Sequence, residues 1–252
     1  MSEGQIALVT GGARRIGAAI VRDLATHGWA VAIHFNNSRE NAEALAGEIR
    51  AAGGRAATVA GDLADPAALE RVIPAASDAL GSLTLLVNNA SVFLKDRIGG
   101  LDFALWQTQF DVNLRAPVFL TEAFARQLPD SREGNVVNMI DQRVLKLTPE
   151  VPSYTLTKAA LWTATQTFAQ ALAPRIRVNA IGPGPTFPNP HDGEAGLEKE
   201  VTGTLLERRV ALGDFGRAIR FLVETPSVTG HMITLDSGQH LAWRTPDIVD
   251  DT

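Results

Sequence analysis

Tyr154 and Lys158 are the residues whose types and spacing most directly indicate acid–base chemistry. They stand four positions apart, in a segment after Pro152 that predicts a helix with Ser153 able to cap it. Residues four apart on a helix lie on one face. A phenol has a pKa of about 10, and a nearby ammonium lowers that pKa by favouring the phenolate. The pair can therefore exchange a proton with a substrate oxygen or nitrogen; alternatively, Tyr154 is a core residue and Lys158 is solvated.

Length and composition indicate one large α/β domain spanning residues 1–252, because 45% of the 252 residues are hydrophobic and 20% are charged. The net charge of -5 argues against nucleic acid or an anionic membrane surface as the main partner. No apolar run approaches the roughly 20 residues of a membrane span, and no signal pattern precedes the first strand. We therefore expect a small-molecule substrate and no membrane or nucleic-acid partner.

Cysteine is absent and the five histidines are scattered without ligand spacing. The chain therefore has no disulfide or thiolate metal site, which fits a reducing cytoplasm. The histidine pattern predicts that no metal is bound.

A glycine-containing turn follows the first predicted strand, from Ile6 to Val9, and leads into a helix. Gly11 permits the tight turn, and Gly17 allows the helix to pack closely on the strand. The helix N-terminus offers free amides and a positive dipole end to a pyrophosphate. The alternative is an ordinary strand-to-helix turn.

The end of the second predicted strand, from Ala30 to Phe35, indicates the choice of cofactor. An NAD site usually carries an acid about 20 residues beyond the glycines, to bind the ribose 2′-hydroxyl. Here the chain reads Asn36-Asn37-Ser38-Arg39, with no acid before Glu40. Arg39 and Arg14 can face a 2′-phosphate and Ser38 can bond it, which predicts NADP(H). Otherwise these are solvated helix-start residues.

Further strands and helices alternate to the end of the chain, which predicts a parallel sheet covered by helices. Asp62 follows the third strand and can bond an adenine amino group or cap a loop, and Asn89 follows the fourth. Asn113 falls inside a long helical region, where an exposed face is the simplest expectation. The segment from Gly182 to Pro190 is too rich in proline and glycine for helix or strand, and with the residues up to Glu200 it is typical of a mobile lid. The remaining predicted strands are 56–60, 83–87, 135–140, 176–180 and 231–235.

Taken together, these motifs resemble the short-chain dehydrogenase/reductase family along essentially the whole chain. The matching residues are Thr10-Gly11…Gly17, Asp62-Leu63, Asn88-Asn89-Ala90, Asn113, Tyr154…Lys158 and Pro183-Gly184. The resemblance implies a doubly wound Rossmann-type sheet of seven mainly parallel strands with helices on both faces, a nicotinamide cofactor and a homotetramer. It also implies that Tyr154 is the acid/base, that Lys158 binds the nicotinamide ribose, and that Asn113 holds a proton-relay water.

Two positions depart from the family pattern, and both match its pteridine reductases. Arg15 stands at the usual third glycine of the turn, and Asp141 at the usual catalytic serine, thirteen positions before the tyrosine. This resemblance implies an NADPH-dependent reductase of a dihydropterin, biopterin or folate, with Phe93 stacked on the pterin ring. The alternatives are that Phe93 is core and that Asp141 caps a loop.

The resemblance assigns three overlapping sets of residues. The catalytic set is Asn113, Asp141, Tyr154 and Lys158. The substrate set is Arg15, Ser91, Phe93, Asp141, Tyr154 and Pro185. The cofactor set is Gly11, Arg14, Arg15, Ile16, Gly17, Asn37, Ser38, Arg39, Asp62, Leu63, Asn89, Ala90, Tyr154, Lys158, Pro183, Gly184 and Thr186.

Two other functions stay open at this level. One is a reductase of ketones or 3-oxoacyl thioesters, since substrate choice is set by the site and not by the fold. The other is a non-catalytic NADP(H)-sensing protein, which would keep the glycine turn without needing Tyr154 or Lys158.

Overall fold

The computed structural model describes residues 4–189 and 192–243, and a seven-stranded sheet lies at its centre. The strands are β1 (Ile6–Val9), β2 (Ala30–Phe35), β3 (Ala56–Ala60), β4 (Leu85–Asn88), β5 (Gly134–Met139), β6 (Ile176–Pro183) and β7 (Met232–Leu235). Their order across the sheet is β3-β2-β1-β4-β5-β6-β7, and every neighbouring pair is parallel. The predicted doubly wound Rossmann-type fold is confirmed.

Helices cover both faces of the sheet. They are α1 (Arg15–Thr26), α2 (Arg39–Ala51), α3 (Pro66–Leu80), α4 (Phe103–Phe110), α5 (Ala116–Gln127), α6 (Pro152–Leu172), α7 (Gly193–Thr202) and α8 (Leu212–Glu224). Buried residues of α1, α2 and α8 pack on one face, and those of α3, α5 and α6 on the other. The two layers explain why the strands are apolar on both sides.

Strand β1 shows how one apolar run serves two cores. Ala7 and Val9 belong to the cluster beneath α1, α2 and α8, whereas Ile6 and Leu8 belong to the opposite cluster. Successive side chains of a strand point to opposite faces, so a continuous apolar run is what a sheet buried on both sides requires.

The end of β6 and the predicted lid that follows it both differ from the prediction. Strand β6 runs on to Pro183 instead of ending at Ala180, because Gly182 and Pro183 pair in register with β7. Proline cannot donate a backbone hydrogen bond to the sheet, so it is tolerated at the end of a strand and not in its interior. The predicted lid up to Glu200 is not wholly irregular, since helix α7 begins at Gly193.

Helix starts and breaks also differ. Ser153 does not cap α6: it lies within the helix and is fully buried, while Val151 occupies the cap with a φ of 48°. The long helical region is interrupted by a π turn, Asp111–Arg115, between α4 and α5. Such insertions are frequent at functional sites.

Candidate active site

A cavity of about 580 Å³ opens at the carboxyl ends of the strands. Its walls come from the turns that follow β1 to β6, on either side of the point between β1 and β4 where the strand order reverses. Open α/β sheets bind ligands at this point. The predicted site residues on its wall are Gly11, Arg14, Arg15, Ile16, Gly17, Asn37, Ser38, Asp62, Leu63, Asn89, Ala90, Ser91, Phe93, Asp141, Tyr154, Lys158, Pro183 and Gly184.

Four predicted residues stand beside the cavity and not on its wall. Arg39 lies over the ring of Phe35, with its guanidinium carbon 5.4 Å from the centroid. Asn113 is fully buried. Pro185 and Thr186 belong to the chain after β6, where the Pro185 carbonyl accepts a bond from Val210 and the Thr186 hydroxyl donates to Gly184.

The turn after β1 is shaped by two glycines and held by Asn89. A Cβ at Gly17 would come within 2.2 Å of the Gly11 carbonyl oxygen, so no other residue fits there. The Asn89 amide donates to the carbonyls of Thr10 and Gly11 at 2.8 and 3.2 Å. In return, the Thr10 hydroxyl accepts bonds from the backbone of Asn89 and Ala90. The turns after β1 and β4 are thereby locked together.

His34 ties a third turn to this pair, and the sequence analysis did not single it out. Its Nδ1 accepts a bond from the Gly11 amide at 3.1 Å, so its Nε2 carries the proton and donates to the Gly61 carbonyl at 3.0 Å. Burial lowers the pKa of His34 to about 4, which keeps the ring neutral. One polar residue in an otherwise apolar strand was the available signal.

Arg14 and Arg15 begin helix α1 at the rim of the cavity. No side chain caps its first turn and no acidic residue lies in it, so the amides remain available to an anion. Arg15 has a φ of 52°, which explains why a glycine is usual here. Its guanidinium lies 4.8 Å from the Phe187 ring centroid and donates to the Pro188 carbonyl. Burial and the neighbouring Arg14 lower the pKa of Arg15.

The corner after β2 fits a phosphorylated ribose. Asn36, Asn37 and Ser38 line the cavity, and Arg39 begins helix α2 directly behind them. Asp62, at the neighbouring turn, uses one oxygen to accept a bond from the Ala64 amide, as the loop-capping alternative expected. Together with the uncapped start of α1, this arrangement can hold a dinucleotide with a 2′-phosphate.

Tyr154 and Asp141 both line the cavity and are hydrogen-bonded to each other. The Tyr154 hydroxyl donates to Oδ2 of Asp141 at 3.1 Å, while Oδ1 accepts from the Arg143 amide at 2.8 Å. Burial raises the pKa of Asp141 despite the opposing influence of Arg143 and Lys158. Burial, followed by the Asp141 carboxylate, raises the pKa of Tyr154 well above its usual range. Asp141 also caps the short turn Gln142–Val144, so the capping alternative holds alongside its place in the cavity.

Lys158 corrects one expectation. Its ammonium is buried, donates to the Met139 carbonyl at 2.9 Å and lies 5.6 Å from the Tyr154 ring centroid. Burial lowers the pKa of Lys158 to about 8. The prediction that this ammonium brings the pKa of Tyr154 towards neutrality is wrong for the protein alone, because burial and Asp141 act more strongly in the other direction.

Asn113 lies within the π turn and faces inward, so the expectation of an exposed face is wrong. Its Oδ1 accepts bonds from the Val92 amide at 2.9 Å and the Ser91 hydroxyl at 3.0 Å, and its Nδ2 donates to the Val92 carbonyl at 2.8 Å. Asn113 thus holds the chain after β4, which carries the candidate substrate residues Ser91 and Phe93.

The rings of Phe93 and Tyr154 pack edge to face. The two ring centroids are 4.9 Å apart and the planes meet at 83°. Phe93 is only partly buried and lines the cavity, so it is not simply a core residue. A flat ligand in the cavity can therefore contact the Phe93 side chain.

Metal binding and membrane spanning are two further properties that the described residues bear on. Residues 4–189 and 192–243 contain no group of three or more His, Cys, Asp or Glu side chains arranged to hold a metal ion. Within the same ranges, no helix is both long and apolar enough to span a bilayer.

The fold and the Tyr154–Lys158 cavity define a nucleotide-dependent oxidoreductase of the short-chain type, and the chain belongs to the short chain dehydrogenase family, whose profile matches residues 5–193. Among solved structures it is similar to the FolM alternative dihydrofolate reductase 1 of Brucella canis complexed with NADP, at 53% identity and a TM-score of 0.95, covering 99% of each chain. An uncharacterized oxidoreductase of Methylorubrum extorquens is 34% identical, covering 94% of this chain and 98% of that protein. A 3-oxoacyl-[acyl-carrier-protein] reductase of Staphylococcus aureus is 30% identical, covering 93% and 98%.

Proposed function

We propose that the protein is an NADPH-dependent reductase of a pterin-type substrate: a dihydropterin, biopterin or folate. The observation that carries the proposal is the carboxyl group of Asp141 beside the Tyr154 hydroxyl. A ketone reductase needs a neutral donor there, because a carboxylate would repel the developing oxyanion. The similarity to FolM, solved with NADP, supports both the substrate class and the cofactor.

NADPH, when bound, supplies the hydride. The amides at the start of α1 would bind its pyrophosphate, and Asp62 would bind its adenine. Asn37, Ser38, Arg39 and Arg14 would bind the 2′-phosphate. Lys158 would bind the nicotinamide ribose.

The substrate ring lies against Phe93, with Ser91 and Arg15 at its polar edge. Reduction adds hydride to a ring carbon and a proton to a ring nitrogen, and Tyr154 is the group that delivers the proton. Because its pKa is raised, Tyr154 remains protonated and can donate the proton during the reaction. Asp141 orients the donors of the ring and resupplies the proton, a role favoured by its own raised pKa.

Reduction of a 3-oxoacyl thioester is the second candidate, because reductases of acyl-carrier-protein substrates are among the relatives. In that case Tyr154 would protonate a ketone oxygen. Asp141 would have to be protonated to donate to the same oxygen, and Phe93 would have no flat partner.

The test is a comparison of NADPH consumption with a dihydropterin, dihydrofolate, a simple ketone and a 3-oxoacyl thioester. We expect turnover of a pterin or folate, a large loss in Asp141→Ala, and no recovery in Asp141→Ser. Phe93→Ala should raise KM for the pterin more than for NADPH, since stacking acts on the substrate. If the wild type reduces only a ketone or thioester, and Asp141→Ser improves that activity, the pterin assignment is overturned.

We further propose that the chain acts in the cytoplasm, as one domain assembled into a homotetramer. Phe103, Phe119 and Leu156 lie on α4, α5 and α6 and expose 94%, 57% and 49% of their surface. Helix α6 contacts both α4 and α5, and exposed apolar side chains on neighbouring helices suit burial against further copies. Trp243 in the tail is also half exposed, while its neighbour Arg244 lies outside the described residues. Light scattering with Phe119→Glu tests the assembly: a wild-type monomer would contradict it.

A further inference from the structure

Gln109, one turn before Asn113, is a fully buried amide that the acid–base chemistry does not use. Its Oε1 accepts a bond from the Leu94 amide at 3.1 Å, and its Nε2 donates to the Leu94 carbonyl at 3.3 Å. The same nitrogen donates to the buried Ser153 hydroxyl. A buried amide with both ends bonded is held in one orientation, since loss of any partner leaves a polar group unsatisfied.

Gln109 repeats, one helical turn away, what Asn113 does. Asn113 forms hydrogen bonds with the Val92 amide and carbonyl, and Gln109 forms hydrogen bonds with those of Leu94. Two side-chain amides therefore bond to alternate residues of one segment, as a neighbouring strand would. Phe93 is the residue between Val92 and Leu94.

Gln109 and Asn113 also form hydrogen bonds with α6, the helix that contains Tyr154. Gln109 bonds the hydroxyl of Ser153, and Asn113 bonds that of Thr157 at 3.4 Å. These hydroxyls lie immediately before Tyr154 and three residues after it. The distance between the Phe93 and Tyr154 rings is thus set through shared partners and not by the ring contact alone.

We infer that Gln109 is a positioning residue that fixes the Phe93 ring against Tyr154 and so sets the geometry of substrate binding. This inference rests on the proposed function in one respect, because the readout in turnover uses a dihydropterin as substrate. Gln109 does not line the cavity, and it acts through Leu94 and Ser153. A second readout, made without substrate, is therefore part of the test.

The first measurement is steady-state kinetics with a dihydropterin for Gln109→Met, which keeps the side-chain length and removes every hydrogen bond. We expect kcat/KM to fall by about tenfold or more, mainly through KM for the pterin, with KM for NADPH changed by less than about twofold. The double variant Gln109→Met/Phe93→Ala should lose little more kcat/KM than Phe93→Ala alone, because the ring that Gln109 positions is already absent. Fully additive losses would overturn the inference.

The second measurement is hydrogen exchange of the segment 91–96 in the protein without ligands. Wild type should protect the Leu94 amide, and Gln109→Met should lose that protection. Gln107→Met is the matched control, since Gln107 lies on the same helix but is exposed and bonds Asp111. Gln109→Leu, which also removes both hydrogen bonds to Leu94, serves if Gln109→Met fails to fold. Unchanged protection in a folded Gln109→Met or Gln109→Leu variant overturns the inference whatever the substrate, whereas a wild type inactive on every pterin overturns only the proposed function.

Discussion

The Tyr154 hydroxyl donates a hydrogen bond to Oδ2 of Asp141 across 3.1 Å, so the phenolic proton is shared with a carboxyl group. Burial raises the pKa of both partners, and it is the larger influence on each. The pair therefore resists ionisation as a unit. A tyrosine beside a lysine alone would have a lowered pKa, and here the pKa is raised. This difference affects both the reaction rate and the stability of the fold.

Tyr154→Phe should abolish turnover while leaving folding and cofactor binding nearly intact. Only the hydroxyl is lost, and the ring can still pack against Phe93. General acid catalysis typically contributes about 10²–10⁴-fold in rate, so kcat should fall by that factor. Steady-state kinetics and a cofactor titration measure the two effects separately. A variant within a few-fold of wild type would exclude Tyr154 as the proton donor.

Asp141→Asn should stabilise the protein at neutral and alkaline pH even as it removes activity. The raised pKa of Asp141 means that its carboxylate is less favourable in the folded chain than in the unfolded one. This cost is absent below the ordinary aspartate pKa of about 4 and grows as pH rises through the folded value. Denaturant unfolding should show a gain for Asp141→Asn at about pH 8 that shrinks towards about pH 4. A constant gain across that range would indicate a packing effect instead.

Arg39→Glu should weaken NADPH more than NADH, and the wild type should prefer NADPH. The helix start after β2 carries no acid before Glu40, and the reversed charge would repel a 2′-phosphate. The measurement is kcat/KM with each cofactor. Arg71→Glu, an exposed position on α3, makes the same change of charge away from the cavity wall. Equal losses with both cofactors would show that Arg39 does not contact the phosphate.

His34 should make stability fall in mildly acidic solution. Its pKa drops from about 6.5 in the unfolded chain to about 4 in the folded one, so its contribution is complete above pH 6.5 and is lost between those values. The full loss corresponds to about 3 kcal/mol. His34→Gln should be less stable than wild type near neutrality, and the gap in free energy of unfolding should narrow as pH falls. His231→Gln, at an exposed histidine, is the control. Parallel pH profiles for wild type and His34→Gln would refute the assignment.

The fold could be predicted from sequence because its signals are local. The run from Ile6 to Val9 is apolar on both sides, and the glycines at 11 and 17 sit where the chain must turn and pack closely. Polar residues that follow strands, such as Asp62 and Asn89, necessarily gather at one edge of a parallel sheet. Family resemblance then supplied the roles of Tyr154 and Lys158.

The rest depends on contacts that no local pattern records. His34 joins turns 23 and 27 residues away, and Gln109 reaches Ser153 across 44 residues. The direction of the Tyr154 pKa was mispredicted for a related reason. Helical spacing places Lys158 near the phenol, but desolvation depends on everything packed around it, and this dominates the effect of one ammonium.

Arg15 joins the glycine turn after β1 to the chain after β6. The residue accepts an unfavourable left-handed backbone, at roughly 1–2 kcal/mol, while its guanidinium reaches from the glycine turn to Phe187 and Pro188. A ligand that draws this guanidinium into the cavity must loosen its hold on Pro188. By reciprocity, a second ligand that holds Phe187 and Pro188 in place is expected to change the affinity for the first by the same factor. A glycine at this position would relax the turn and uncouple the two events.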